Sequence, residues 1–219
     1  MSLFPNELIS RLETVGVVAG FSVDNPDHAK PIAEALLNGG LDVIELTLRT
    51  DSALDALKII VDNVPDIIAG VGTILTPEQA RNVKKIGADF GVSPGLNPAV
   101  INECRKLKLP FAPGIVSPSD LEAAITLGCR FVKFFPAEPA GGIPFLRSIA
   151  APYSHLGIRY FPLGGINNTN MIDYLKEPHV PTVGGSWIVD RELIISEDWE
   201  AISKRARAVR TAVDAGINN

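Results

Sequence analysis

Residues 131–138 read Phe-Val-Lys-Phe-Phe-Pro-Ala-Glu, and the lysine inside that apolar run is the first sign of chemistry in the chain. Taking an ammonium out of water is costly unless the group is paired or gives up its proton, so packing alone is a poor reason for Lys133. Burial favours the neutral amine, and a neutral amine attacks a carbonyl carbon to form a Schiff base. The plainer alternative is a strand lysine whose stem packs on apolar neighbours while its head reaches solvent. Glu45, in Val-Ile-Glu-Leu at 43–46, is a second charge in an apolar run. Buried, it is a candidate to carry protons; equally, it is a candidate ion-pair partner for Arg49 or Lys133.

Other side chains with chemical potential fall just after apolar runs. Arg49, in Thr-Leu-Arg-Thr, offers a guanidinium fork that fits a carboxylate or phosphate, although most arginines in such loops are simply solvated. Thr73, in Gly-Val-Gly-Thr, can donate a hydroxyl to the same anion or serve only as a turn residue. Gly164-Gly165 and Gly184-Gly185-Ser186 end two further runs. Glycines there let backbone N–H groups approach a phosphate, and they also end strands for turn reasons alone. Pro94, in Ser-Pro-Gly, and Phe135 and Trp187 are candidate pocket-lining residues. His28, His155 and His179 show no metal-ligand spacing, and Cys104 and Cys129 form neither a CxxC pair nor a disulfide framework. No metal or organic cofactor is expected.

These residues need a scaffold that brings distant runs together. Strand-like runs occupy 15–21, 41–47, 67–72, 88–93, 109–114, 130–135, 158–163 and 180–185. Helical stretches begin near Pro26, Asp51, Thr76, Asn97, Ser117, Gly142, Asn167 and Glu192, several with an N-cap residue followed by proline or an acid. A short amphipathic helix over residues 1–13 precedes them. Eight βα units with no linker between them predict an α/β fold, a single closed (β/α)8 TIM barrel spanning 1–219 as one domain. In such a barrel the C-terminal ends of the strands surround one pocket, where Glu45, Arg49, Thr73, Pro94, Lys133 and the glycine pairs would converge. An open doubly wound sheet is disfavoured because no GxGxxG turn follows the first run.

Composition narrows the partners. The net charge is −5, and no basic stretch suits nucleic acid. No apolar run approaches the length of about 20 residues that a membrane-spanning helix needs. A small-molecule substrate in a reducing cytoplasm is the expectation.

Taken together, the segments VIELTLRT, GVGTIL, SPGLNP, PGIVSPSD, VKFFPAE, LGGIN and GGSW resemble the 2-keto-3-deoxy-6-phosphogluconate (KDPG) and 4-hydroxy-2-oxoglutarate (KHG) aldolases across most of the chain. The resemblance implies a homotrimeric (β/α)8 barrel that cleaves a phosphorylated keto acid to pyruvate by a metal-free, class I mechanism. It implies Lys133 as the Schiff-base residue and Glu45 as the proton shuttle. Arg49 and Thr73 would hold the pyruvate carboxylate, and the glycines at 164–165 and 184–185 with Ser186 would hold the phosphate. Two departures bear on substrate range: Leu163 stands where the family usually has threonine, and the first strand lacks an arginine that some relatives carry. Related keto-deoxy phosphosugar acids such as phosphogalactonate, or a sugar-phosphate epimerase or binding barrel, are the alternatives; only an aldolase needs an amine in the apolar pocket.

Overall fold

The computed structural model describes residues 3–217. The expected N-terminal helix is α1 (Asn6–Val15), which buries Ile9, Leu12 and Val15; residues 1 and 2 lie outside the described residues. Strands and helices then alternate. They are β1 (Val17–Phe21), α2 (Ala29–Asn38), β2 (Val43–Thr47), α3 (Ala53–Asn63), β3 (Ile68–Gly72), α4 (Pro77–Ile86), β4 (Phe90–Val92) and α5 (Pro98–Leu107). The second half holds β5 (Phe111–Ala112), β6 (Gly114–Ile115), α6 (Pro118–Thr126), β7 (Phe131–Phe134), α7 (Gly142–Ala150), β8 (Arg159–Pro162), α8 (Met171–Leu175), β9 (Val183–Gly185), α9 (Arg191–Ile195) and α10 (Trp199–Ile217).

Helices α4, α5, α6 and α9 start where a side chain takes up a first-turn N–H group. Thr76 and Gln79 form a reciprocal capping box ahead of α4, and Ser117 and Asp120 do the same for α6. Both helices open on proline, which lacks the N–H that would otherwise go unpaired there.

The paired strands run parallel, in the orders β5-β4-β3-β2-β1-β9 and β6-β7-β8. Among the described residues nine strands appear where eight runs were expected, because the run at 109–114 is broken. Pro113 has no N–H to give a ladder, so β5 ends before it and β6 begins after it, while its carbonyl still accepts from the Lys133 N–H at 2.9 Å. The same proline joins the two sheets along the chain. On their other side a parallel bridge between Leu163 and Gly184 links the end of β8 to β9. The architecture seen is thus an α/β fold of curled parallel sheets, in place of one continuous eight-stranded sheet.

Aromatic rings fill the interior near the N-terminal ends of the strands. Phe4 is 1% exposed and lies 4.5 Å from the Phe131 ring at the start of β7 and 5.8 Å from the Phe90 ring at the start of β4. Phe131 stacks in turn on Phe161. Among the described residues, Glu45 and Lys133 are the only charged side chains in the buried set.

Candidate active site

Each strand of a parallel sheet turns alternate side chains to one face, and on β2 and β7 that alternation carries Glu45 and Lys133 inward. Lys133 Nζ donates to Glu45 Oε1 at 3.1 Å, and the two side chains are 5% and 3% exposed. The amine also lies 5.0 Å from the centroid of the Phe135 ring. Lys133 is therefore neither snorkelling nor solvated, and Glu45 is its ion-pair partner across 88 positions of sequence. Such a pair holds a nucleophile and a proton acceptor in contact, and proton transfer within it releases the neutral amine.

The pair faces a cavity of about 550 Å³, within the range of small-molecule sites, at the C-terminal ends of the strands. Of the residues singled out in the sequence, Glu45, Arg49, Lys133, Phe135, Gly164, Gly165, Gly185 and Ser186 line it. Arg49 is exposed, and its guanidinium has no hydrogen bond or ion pair among the described residues, which leaves it available to an anion. Gly164 and Gly165 turn with φ of 92° and 86°, the left-handed region that glycine adopts without strain. Among the described residues, the N–H groups of Gly165 and Ile166 donate to no backbone carbonyl, whereas Gly164 adjoins the Leu163–Gly184 bridge. Consecutive unpaired N–H groups on a tight turn make an anion-binding concavity.

Thr73, Pro94, Gly184 and Trp187 do not line the cavity. Thr73 sits in the left-handed region at φ 63°, which strains a β-branched residue. The Pro94 carbonyl packs where a side chain on Gly114 would stand. Gly184 is a seam residue: a Cβ there would come within 3.0 Å of both Phe161 and Leu163. Trp187 fills the space beside Gly185 and donates its indole N–H to Asn168 at 2.7 Å. Of the three histidines, His28 reaches the cavity rim, where its Nε2 lies 3.3 Å from Glu197.

A family model described as KDPG and KHG aldolase matches residues 8–205. The chain belongs to this aldolase family. Its relatives include a 2-dehydro-3-deoxy-phosphogluconate aldolase of Haemophilus influenzae, 40% identical over 95% of this chain and 98% of the relative. A KHG/KDPG aldolase of Escherichia coli K12 is 41% identical over 90% of this chain and 92% of its own. Among solved structures, a KDPG aldolase from Legionella pneumophila, holding pyruvate captured as a covalent carbinolamine intermediate, superposes with a TM-score of 0.87. It is 38% identical and covers 92% of this chain and 97% of that one. Aldolases of this family are carbon–carbon lyases.

For this aldolase, reading the sequence missed the residues that make room for the ion pair. A Cβ on Gly72 would collide with Glu45 Oε1, and one on Gly20 would lie 3.7 Å from Oε2. The signal was present as glycines two apart on one strand, Gly70 and Gly72, whose absent side chains accommodate Phe90 and Glu45 respectively. Gly72→Ala is expected to push the carboxylate off Lys133, with turnover falling to a level between wild type and Glu45→Gln while the fold persists. Steady-state turnover beside a thermal melt checks this, since a displacement of about 1 Å at a reacting group can cost on the order of 10²-fold in rate.

Proposed function

We propose that the chain is a class I aldolase that cleaves KDPG to pyruvate and glyceraldehyde 3-phosphate. The observation that carries this reading is the buried Lys133–Glu45 pair facing a cavity that is lined also by the Arg49 guanidinium and by the glycine turn at 164–165. Support comes also from relatives about 40% identical over nearly the whole chain.

The steps follow from the groups present. Glu45 takes a proton from Lys133, and the freed amine attacks the C2 carbonyl of the substrate. Glu45 returns that proton to the carbinolamine hydroxyl, which leaves as water to give a protonated imine, an electron sink, and Glu45 is ionised again. Glu45, directly or through a water, then removes the proton of the C4 hydroxyl. The C3–C4 bond breaks, its electron pair passes into the enamine, and C4 leaves as the aldehyde. Protonation of the enamine at C3 by the proton that Glu45 now holds, followed by hydrolysis of the imine, releases pyruvate and restores the amine. Arg49 is assigned to the substrate carboxylate, a pairing a guanidinium makes with two hydrogen bonds. The N–H groups of Gly165 and Ile166, on the turn that Gly164 opens, and the Ser186 hydroxyl are assigned to the phosphate, with Gly184 and Gly185 framing it. Phe135 packs beside the imine, and Gly185 keeps the wall open. Thr73, Pro94 and Gly184 are assigned to the frame that holds these groups. Leu163, which lines the cavity, offers the substrate's middle hydroxyls no partner, and this favours some activity on KHG as well.

The same reading takes residues 1–219 as one domain and the two sheets as parts of one closed (β/α)8 barrel, with seams at Pro113 and at the Leu163–Gly184 bridge. It takes the assembly as a homotrimer acting in the cytoplasm without a metal or organic cofactor. Among the described residues no helix is long and apolar enough to cross a membrane.

The test is direct. The purified protein with KDPG should generate pyruvate and a triose phosphate in equal amounts, each measured by a coupled dehydrogenase. Absence of both products at millimolar substrate would sink the assignment.

A further inference from the structure

Glu138 ends the Phe-Phe-Pro-Ala-Glu stretch but does not line the cavity, and none of the steps above uses it. Two of its contacts bear directly on the glycine turn. The Glu138 N–H donates to the Gly164 carbonyl at 3.0 Å, one residue after the Ala137 N–H donates to the Leu163 carbonyl at 2.8 Å. Its Cβ fills the place a Gly165 side chain would occupy, 2.5 Å from that ideal position. Its carboxylate accepts from the hydroxyl of Tyr174 on α8, at 2.5 Å. From the other side the Asn170 amide donates to the Gly165 carbonyl at 3.1 Å.

The geometry of a trans peptide makes these contacts matter at a distance. Its C=O and N–H point in opposite directions, so fixing one aims the other. The Gly164 carbonyl shares a peptide unit with the Gly165 N–H, and the Gly165 carbonyl shares one with the Ile166 N–H. Glu138 and Asn170 lie outside the cavity wall, whereas Gly164, Gly165 and Ile166 form it. With both carbonyls drawn outward, the two N–H groups are turned toward the cavity.

We propose that Glu138, held in place by Tyr174, is a positioning residue that orients the backbone N–H groups of the glycine turn toward the phosphate of the substrate. Tyr174 suits the part: it is fully buried, and burial together with the Glu138 hydrogen bond holds its hydroxyl well above the ordinary phenol range. It remains a donor throughout the pH range in which the enzyme would work. Glu138 thus couples the end of β7, which carries Lys133, to the turn after β8. This inference rests on the phosphate assignment made above.

The decisive variant is Tyr174→Phe, which keeps the packing and removes only the donor. KM for KDPG should rise roughly three- to tenfold with kcat within about twofold, less than the full loss of a hydrogen bond to a charged group, because the backbone contacts remain. The Ki of inorganic phosphate as a competitive inhibitor should rise by the same factor. Borohydride trapping of pyruvate, which carries no phosphate, should not change. Glu138→Gln, which still offers the Tyr174 hydroxyl an acceptor, should retain most of the wild-type KM. Should Tyr174→Phe fail to fold, Glu138→Ala breaks the same contact from the other partner and carries the same expectation. Equal losses in KDPG turnover and pyruvate trapping would make the pair a general fold element and overturn the proposal, as would an unchanged Ki. If inorganic phosphate does not compete even in the wild type, the phosphate assignment fails and this inference falls with it. Competition in the wild type with no change in Tyr174→Phe removes this inference alone.

Discussion

Incubation with pyruvate and borohydride should leave one reduced pyruvyl group on Lys133 and abolish turnover, while EDTA leaves the untreated enzyme fully active. The expectation of a single site follows from burial: Lys133 is the one lysine in the buried set of described residues, at 4% exposure. Lysines in water stay protonated near neutral pH, and any imines they form hydrolyse readily. Lys133 instead has a carboxylate at 3.1 Å to receive its proton and a cavity to hold the keto acid against it. Peptide mapping of the reduced protein gives the site. Lys133→Ala should lower kcat by at least about 10³-fold, the scale on which loss of a covalent nucleophile is felt. A pyruvyl group on a different lysine, or none, would end the Schiff-base assignment.

The second large effect is expected at Glu45. Glu45→Gln keeps the shape of the side chain but removes its ability to take protons, and kcat should fall by about 10²-fold or more, the usual worth of a general acid–base group. Removing the carboxylate also leaves Lys133 without its buried partner, and breaking such a pair from one side costs about 3–5 kcal/mol. The melting temperature should therefore fall as well. The two effects separate experimentally: the stability loss appears in a thermal melt, whereas the catalytic loss persists in turnover measured well below the transition. Turnover within about threefold of wild type would show that some other group carries the proton.

Much of the site could be read from the sequence because charge in an apolar run is costly enough to need a reason. Lys133 and Glu45 stood out on that ground, and the structure puts them in contact. The alternation of short apolar runs and helical stretches likewise gave the parallel α/β plan. The break at Pro113 was harder to see, since a missing N–H matters only once the neighbouring strand is known. The spaces at Gly20 and Gly72 depend on which side chain arrives from the adjacent strand, and a list of residues does not say so. Glu138 and Tyr174 were invisible for a related reason: an acid after a turn and a tyrosine on a short helix look like ordinary surface until their 36-residue separation closes to a hydrogen bond.

The aromatic packing around Phe4 and the cavity occupy opposite ends of the strands. The rings of Phe4, Phe90 and Phe131 crowd the N-terminal ends of the strands, while the cavity is lined from their C-terminal ends. Under the proposed chemistry the aldehyde fragment is released from the mouth side while pyruvate is still bonded to Lys133 deeper in. The products must then depart in sequence, aldehyde first, and pyruvate that re-enters alone has a clear path back to the amine. In the direction of synthesis the order reverses, so that the keto acid loads first and the aldehyde caps it.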